Sequence, residues 1–109
     1  MKSGIEYHDE DNAWLGSVVT NQGYSDWATT NIGSFVKSMW YRISRRGSDF
    51  RLESSFDGIE YQQMRIFHLF SAENSINIGL MACSPTTGSF NVKFSDFLVT
   101  ECLWELEDE

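Results

Sequence analysis

Trp40-Tyr41-Arg42-Ile43-Ser44-Arg45-Arg46 is followed by Gly47-Ser48-Asp49, then by Phe50-Arg51-Leu52-Glu53-Ser54-Ser55-Phe56 and Asp57-Gly58. Polar and apolar side chains alternate on both sides of a short glycine turn. That is the period of a β-strand with one face turned inward. The Asp57-Gly58 dipeptide favours a two-residue hairpin, because both positions of such a turn need a positive φ. Working outward from this stretch, strand patterns separated by turn residues recur at Lys2 to Tyr7, Trp14 to Thr20, Ser25 to Ile32, Met39 to Arg46, Phe50 to Phe56, Ile59 to Phe67, Ile76 to Cys83 and Ser89 to Val99. Short strands at this spacing predict an all-β, antiparallel β-sandwich.

The expected core follows from the alternation. Phe50, Leu52 and Phe56 oppose Arg51, Glu53 and Ser55; Ile76, Ile78, Leu80 and Ala82 share one parity; Phe90, Val92 and Phe94 oppose Asn91, Lys93 and Ser95. After Phe94 the phase changes, since Phe97 and Val99 take the parity of Asn91 and Lys93, which predicts a bulge near Ser95-Asp96. His68 to Ser75 has room for a single helical turn.

At 109 residues the chain is expected to form one domain, a β-sandwich over residues 1–100, with an acidic tail over 101–109 in which five of nine residues are acidic. The net charge of -8 repels phosphate, so neither a nucleic acid nor an anionic membrane is an expected partner. Charge is uneven. Residues 37–65 hold six basic side chains (Lys37, Arg42, Arg45, Arg46, Arg51, Arg65) against four acidic ones (Asp49, Glu53, Asp57, Glu60), a balance of +2, leaving -10 for the remainder. Cross-strand pairing of Arg42, Arg45 and Arg51 with Glu53 and Glu60 on a solvated face is the expectation for that cluster, with an anion or acidic-partner site as the alternative. Cys83 and Cys102 form no secreted-type cysteine framework, there is no basic-then-apolar amino-terminal run, and no Asn-X-Ser/Thr sequon occurs. Reduced thiols and a cytoplasmic location are the expectation.

Candidate chemistry is sparse. Glycoside hydrolysis needs two carboxylates flanking one bond, and the only alternating set is Glu105, Glu107 and Glu109 in the tail, which reads as solvated. Glu53, Asp57 and Glu60 straddle a turn. A thiol mechanism would need Cys83 beside His68 or His8, whereas Cys83 ends an apolar strand pattern and reads as a packed side chain. The run His8-Asp9-Glu10-Asp11 offers oxygen ligands but lacks the glycine and distal glutamate of a calcium loop, so it reads as an acidic turn and no metal or other cofactor is expected. Aromatic residues carry more information. Tyr7, Trp14, Tyr24 and Trp27, with Asp26 beside them, fall in the first three segments, and sugar sites pair a flat ring with a carboxylate. Tryptophans are expected mainly in the core, with Trp27 the exception because it follows the polar loop 21–26. The candidate ligand-binding residues are therefore Tyr24, Asp26, Trp27 and Tyr7, with no catalytic residues.

Several segments together resemble the concanavalin A-like family of regulation-of-enolase proteins, a domain of unknown function. They are Lys2-Ser3-Gly4-Ile5-Glu6-Tyr7, Ser17-Val18-Val19-Thr20, Tyr24-Ser25-Asp26-Trp27, Trp40-Tyr41-Arg42-Ile43-Ser44-Arg45, Ser55-Phe56-Asp57-Gly58, Gly79-Leu80-Met81-Ala82-Cys83-Ser84-Pro85 and Phe94-Ser95-Asp96-Phe97. The resemblance implies a jelly roll with a ligand-holding concave face. It covers only the carboxy-terminal part of the family domain, which implies a truncated or half sandwich with uncovered edges and an apolar face. Such surfaces invite association, so a homodimer or a partner protein is expected. The chain departs from the family at Tyr61, where a tryptophan is common, and in its acidic run after Tyr7. The combined reading is a non-catalytic, lectin-like module that binds a carbohydrate or a protein, with a regulatory role in carbon metabolism implied by the resemblance. The alternatives are a self-associating interaction protein without a small ligand and a glycoside-active enzyme.

Overall fold

The computed structural model describes residues 1–84, 88 and 90–105. Six strands form: β1 Lys2–Tyr7, β2 Ala13–Asn21, β3 Tyr24–Asn31, β4 Trp40–Arg46, β5 Asp49–Ser55 and β6 Gln62–His68. They make two antiparallel three-stranded sheets, β1-β2-β3 and β4-β5-β6, with no helix among the described residues. The architecture is an all-β half sandwich.

Each sheet is a meander whose turns follow from its sequence. Between β2 and β3 the loop is two residues, Gln22 (φ 54°) and Gly23 (φ 83°), the double positive φ that matches the twist of paired strands. Between β5 and β6 the Asp57-Gly58 dipeptide does not make the expected two-residue hairpin, and residues 56–61 form a longer loop instead. Asp57 organises it: its carboxylate accepts from the Ile59 and Glu60 amides (2.8 and 3.0 Å) and from Ser55 Oγ. Only Gly58 has positive φ (78°), and a Cβ there would come within 2.9 Å of the Trp40 ring. An aspartate that caps backbone amides favours this open loop over a tight turn.

The two sheets meet through one face of each. Ala13, Leu15, Ser17 and Val19 alternate inward along β2 and are buried, while Phe50 and Leu52 do the same on β5. Val19, Phe50, Leu52 and Phe67 form the core cluster, with Met64, Leu69 and Ala72 packed against it. The Phe50 and Phe67 rings stack with centroids 5.2 Å apart. In β6 the register slips at Leu52/Glu53, so Leu52 faces Arg65 and Glu53 faces Gln63, leaving Met64 as the extra residue of a bulge. Asn21 ties the sheets at their end: its amide donates to His68 O (2.7 Å) and accepts from Phe70 N (2.9 Å).

The sequence pattern and the structure part after His68. A single turn forms, with Ala72 N donating to Leu69 O, where a helical turn is expected. The expected strands at Ile76 to Cys83 and Ser89 to Val99 are not strands in their described residues; Ser89 and Pro85 lie outside the described residues. Ile76, Ile78, Leu80, Phe90, Val92 and Phe94 are each at least 40% exposed rather than buried. Their alternation is strand-like, but no strand among the described residues pairs with them to complete a ladder, and an unpaired strand has nothing to hold its backbone groups. Phe56 is likewise exposed, because the loop begins before it. Near the predicted bulge, Asp96 adopts a left-handed φ of 58°, which turns the chain where the pattern changes phase.

Leu52 is fully buried at the centre of the core. Leu52→Ala is expected to lower stability by about 2–5 kcal/mol through lost transfer energy and the residual cavity, measured by urea unfolding. Ile78→Ala, at an exposed site, is expected to change it by less than about 0.5 kcal/mol.

Candidate functional site

The face of the second sheet turned away from the first is charged. Alternation puts Arg42, Ser44 and Arg46 of β4 on this face opposite Glu53, Arg51 and Asp49 of β5. Glu53 is only 4% exposed, and its carboxylate accepts two bonds from Arg42, from Nε at 2.9 Å and Nη2 at 3.1 Å. Arg51 Nη2 lies 3.6 Å from the same carboxylate. The Arg42 guanidinium lies 4.1 Å from the centre of the Tyr61 ring, which supplies an aromatic face to the cation. The bonds to Glu53 hold the Arg42 guanidinium above its usual range. At the far end Asp49 pairs with His68 Nδ1 at 2.8 Å. Arg45 has the other parity: it lies over the Phe50 ring and donates to the Gly47, Glu73 and Asn74 carbonyls, not to Glu60.

The carboxy-terminal segment reaches this face. Trp104 is 5% exposed, with the Arg46 guanidinium 5.9 Å from its ring centre. An exposed tail is therefore corrected at Trp104, because a large ring finds more favourable surroundings over a guanidinium and sheet than in water. Arg46 Nη1 and Trp104 Nε1 are both buried and have no hydrogen-bond partner among the described residues. Glu105 is exposed, whereas Glu107 and Glu109 lie outside the described residues.

The aromatic candidates are distributed over the first sheet. Tyr24 is 82% exposed and Trp27 70% exposed. Register pairs Tyr24 with Asn21 and Asp26 with Val19, which puts them on the core-side face, while Trp27 pairs with Val18 and points to the opposite face. Tyr7 pairs with Ala13 at the other end of β2, on the order of 27 Å from Tyr24 at a strand's rise of roughly 3.4 Å per residue. Its hydroxyl donates to Val36 O, and Lys37 Nζ stands 5.6 Å from its ring. The structure thus keeps Tyr24 and Asp26 on one face and does not bring Trp27 or Tyr7 to them. Trp14 is half-buried, with its ring centroid 6.3 Å from that of His8, and Trp40 lies against Gly58.

A cleft of about 240 Å³ opens between the sheets, lined among others by Leu15, Ser17, Thr30, Gln63 and Met64. No motif in the sequence marks it. In the acidic run, Asp9 accepts from the Asp11 and Asn12 amides and from Asn12 Nδ2, which pulls its carboxyl below the usual range. Cys83 and Cys102 are free and exposed, so Cys83 is not the packed side chain expected from its apolar surroundings. No cluster of three metal-ligating side chains occurs among the described residues. Asn21 and Trp104 were invisible to pattern reading, whereas the shared parity of Arg42, Arg46 and Glu53 was available from the β4–β5 alternation.

The fold is a small all-β scaffold built as half a sandwich. The chain belongs to the family described as "Protein of unknown function (DUF1349)", whose model matches residues 1–102. It is similar to "Regulation of enolase protein 1" of Saccharomyces cerevisiae, with 33% identity over 100 residues, 92% of this chain and 49% of the yeast protein. The chain therefore spans about half the length of that curated relative. No solved structure matches it.

Arg42→Ala leaves buried Glu53 with Arg51 as its remaining cation. The expected loss is about 1.5–3 kcal/mol, the range for hydrogen bonds to charged groups, measured by urea unfolding. Burial pushes the Tyr41 phenol up to about 12, with Tyr7 adding to the rise. An unfolded phenol ionises near 10. The protonated form is thus favoured by folding, and its contribution is intact below pH 10 and lost as pH rises from about 10 to 12. Ultraviolet titration should show a late tyrosine phase that Tyr41→Phe removes.

Proposed function

We propose that the protein is a non-catalytic interaction module that acts by binding protein, with a second copy of itself as the partner that completes the sandwich. One observation carries the reading: Ile76, Ile78, Leu80, Phe90, Val92 and Phe94 keep a strand's alternation yet are at least 40% exposed. Monomeric proteins rarely show apolar patches beyond roughly 300–600 Å², and larger ones mark interaction surfaces. The four sheet edges, β1, β3, β4 and β6, are uncapped by any further strand among the described residues and offer backbone groups for strand addition. The role is regulatory, in keeping with the name of the yeast relative. Free thiols support a reducing compartment such as the cytoplasm, and the net charge of -8 supports a protein partner over nucleic acid.

A carbohydrate reading rests on the exposure of Tyr24 and Trp27. Opposite faces give a sugar one ring at a time, beside Asp26 only at Tyr24, so this reading ranks second.

Light scattering over a concentration series tests the first reading. The expected mass is twice the 12.5 kDa of one chain, and Val92→Asp with Phe94→Asp is expected to return it to one. A folded wild-type protein of single-chain mass at every concentration overturns it.

A further inference from the structure

The cleft of about 240 Å³ lies between β2 and β3 on one side and β5 and β6 on the other. Register fixes which side chains share its walls: Thr30 pairs with Leu15 and Ala28 with Ser17, while Gln62 pairs with Ser54. Two of these side chains are polar and buried. Ser17 is 3% and Ser54 6% exposed, and both line the cleft. The Ser17 hydroxyl accepts from Arg65 Nη1 at 3.4 Å but gives its own proton to no acceptor among the described residues, and Ser54 Oγ makes no hydrogen bond among them. A hydroxyl taken out of water without a partner costs about 1–3 kcal/mol. Two that open on one cleft call for an occupant that accepts hydrogen bonds. No charged side chain lines the cleft among the described residues, so nothing there would compensate a charged occupant for its lost water. The Gln62 and Gln63 carboxamides and the Thr30 hydroxyl both donate and accept, which matches an occupant whose groups do the same. An adjoining hollow shares Ser54, Phe56 and Gln62 and adds Asp57 and Glu60, so an exposed ring and carboxylates stand beside the cleft. A flat ring next to polar acceptors suits a sugar, which has a face of C–H groups and a rim of hydroxyls. The carboxylates turn anions away. The volume falls below the roughly 300–1,000 Å³ of sites for drug-sized molecules, which leaves room for a single ring.

We propose that this cleft binds one neutral monosaccharide unit, with Ser17, Ser54 and Gln62 meeting its hydroxyls and Phe56 covering its C–H face. The site shares no residue with Tyr24, Asp26 and Trp27, and Phe90, Val92 and Phe94 line no part of it, so it stands apart from both readings above. A sugar held here gives the two buried hydroxyls fixed partners. It also bridges the sheets beside the Val19, Phe50, Leu52 and Phe67 cluster, where the chain's own apolar side chains leave them apart.

The probes are the methyl glycosides of glucose, mannose and galactose, titrated into the isotope-labelled chain and followed by nuclear magnetic resonance. At least one is expected to move the side-chain amide signals of Gln62 and Gln63 to saturation, and the matching uronic acid should bind at least tenfold more weakly. Ala28 lies on exposed β3 opposite Ser17, so Ala28→Leu fills the cleft from an edge strand. That variant and Ser54→Ala should each weaken binding at least fivefold, while Tyr24→Ala leaves it unchanged. Circular dichroism reports whether the variants keep their sheets, and Ser54→Ala carries the test if Ala28→Leu does not. A cleft that holds water alone, with no saturable shift from any of the three sugars, overturns the proposal. So does equal binding of the uronic acid, undiminished binding by a folded cleft variant, or loss of binding in Tyr24→Ala, which would move the sugar to the first sheet's rim.

Discussion

Burial of β5 on both faces is the constraint on which the structure depends. Phe50 and Leu52 point into the core, while Glu53 and Ser55, of opposite parity, are also buried. An apolar face needs only something to cover it, but a buried carboxylate needs partners in place. Arg42 meets that need from the paired strand and Arg51 approaches from the same strand, so the register of β4 against β5 is tied to the charge pairing. A slip by one residue would turn Glu53 into the core and Leu52 onto the arginine face.

The first sheet depends on the second in a different way. Its β2 places Ala13, Leu15, Ser17 and Val19 inward, yet only Val19 belongs to the central cluster, and the sheets part over a cleft beside Leu15 and Ser17. Polar contacts close the ends: Asn21 holds the backbone after β6, and Arg65 Nη1 reaches Ser17 Oγ at 3.4 Å. The alternating apolar residues from Ile76 to Phe94 lie outside this arrangement. The same alternation that buries Phe50 leaves Phe90, Val92 and Phe94 exposed because no described strand of this chain faces them.

Strands and turns were largely readable from local pattern, and the exceptions have specific causes. All six observed strands match predicted stretches to within a few residues, because alternation and turn propensity act over a handful of neighbours. Asp57-Gly58 misled because its carboxylate caps amides further along the chain instead of closing a two-residue turn. The segments beginning at Ile76 and Ser89 misled because alternation signals a capacity to pair, while pairing needs a second strand. Among the ligand candidates, Tyr24, Asp26 and Trp27 are adjacent in sequence, and the pleat itself divides Trp27 from the other two.

The sequence by itself determined the all-β class, the family, the six strands up to His68 and the parity that gathers arginines and glutamate on one side of β4 and β5. These are local properties, set by neighbours two to four residues apart. Only the tertiary structure decided which faces are covered: that Trp104 rests on Arg46, that Asn21 bridges two sheets, and that the alternating segments after Ile76 stay open. Burial is a relation between distant parts of a chain, and a pattern within one segment cannot state what will lie against it.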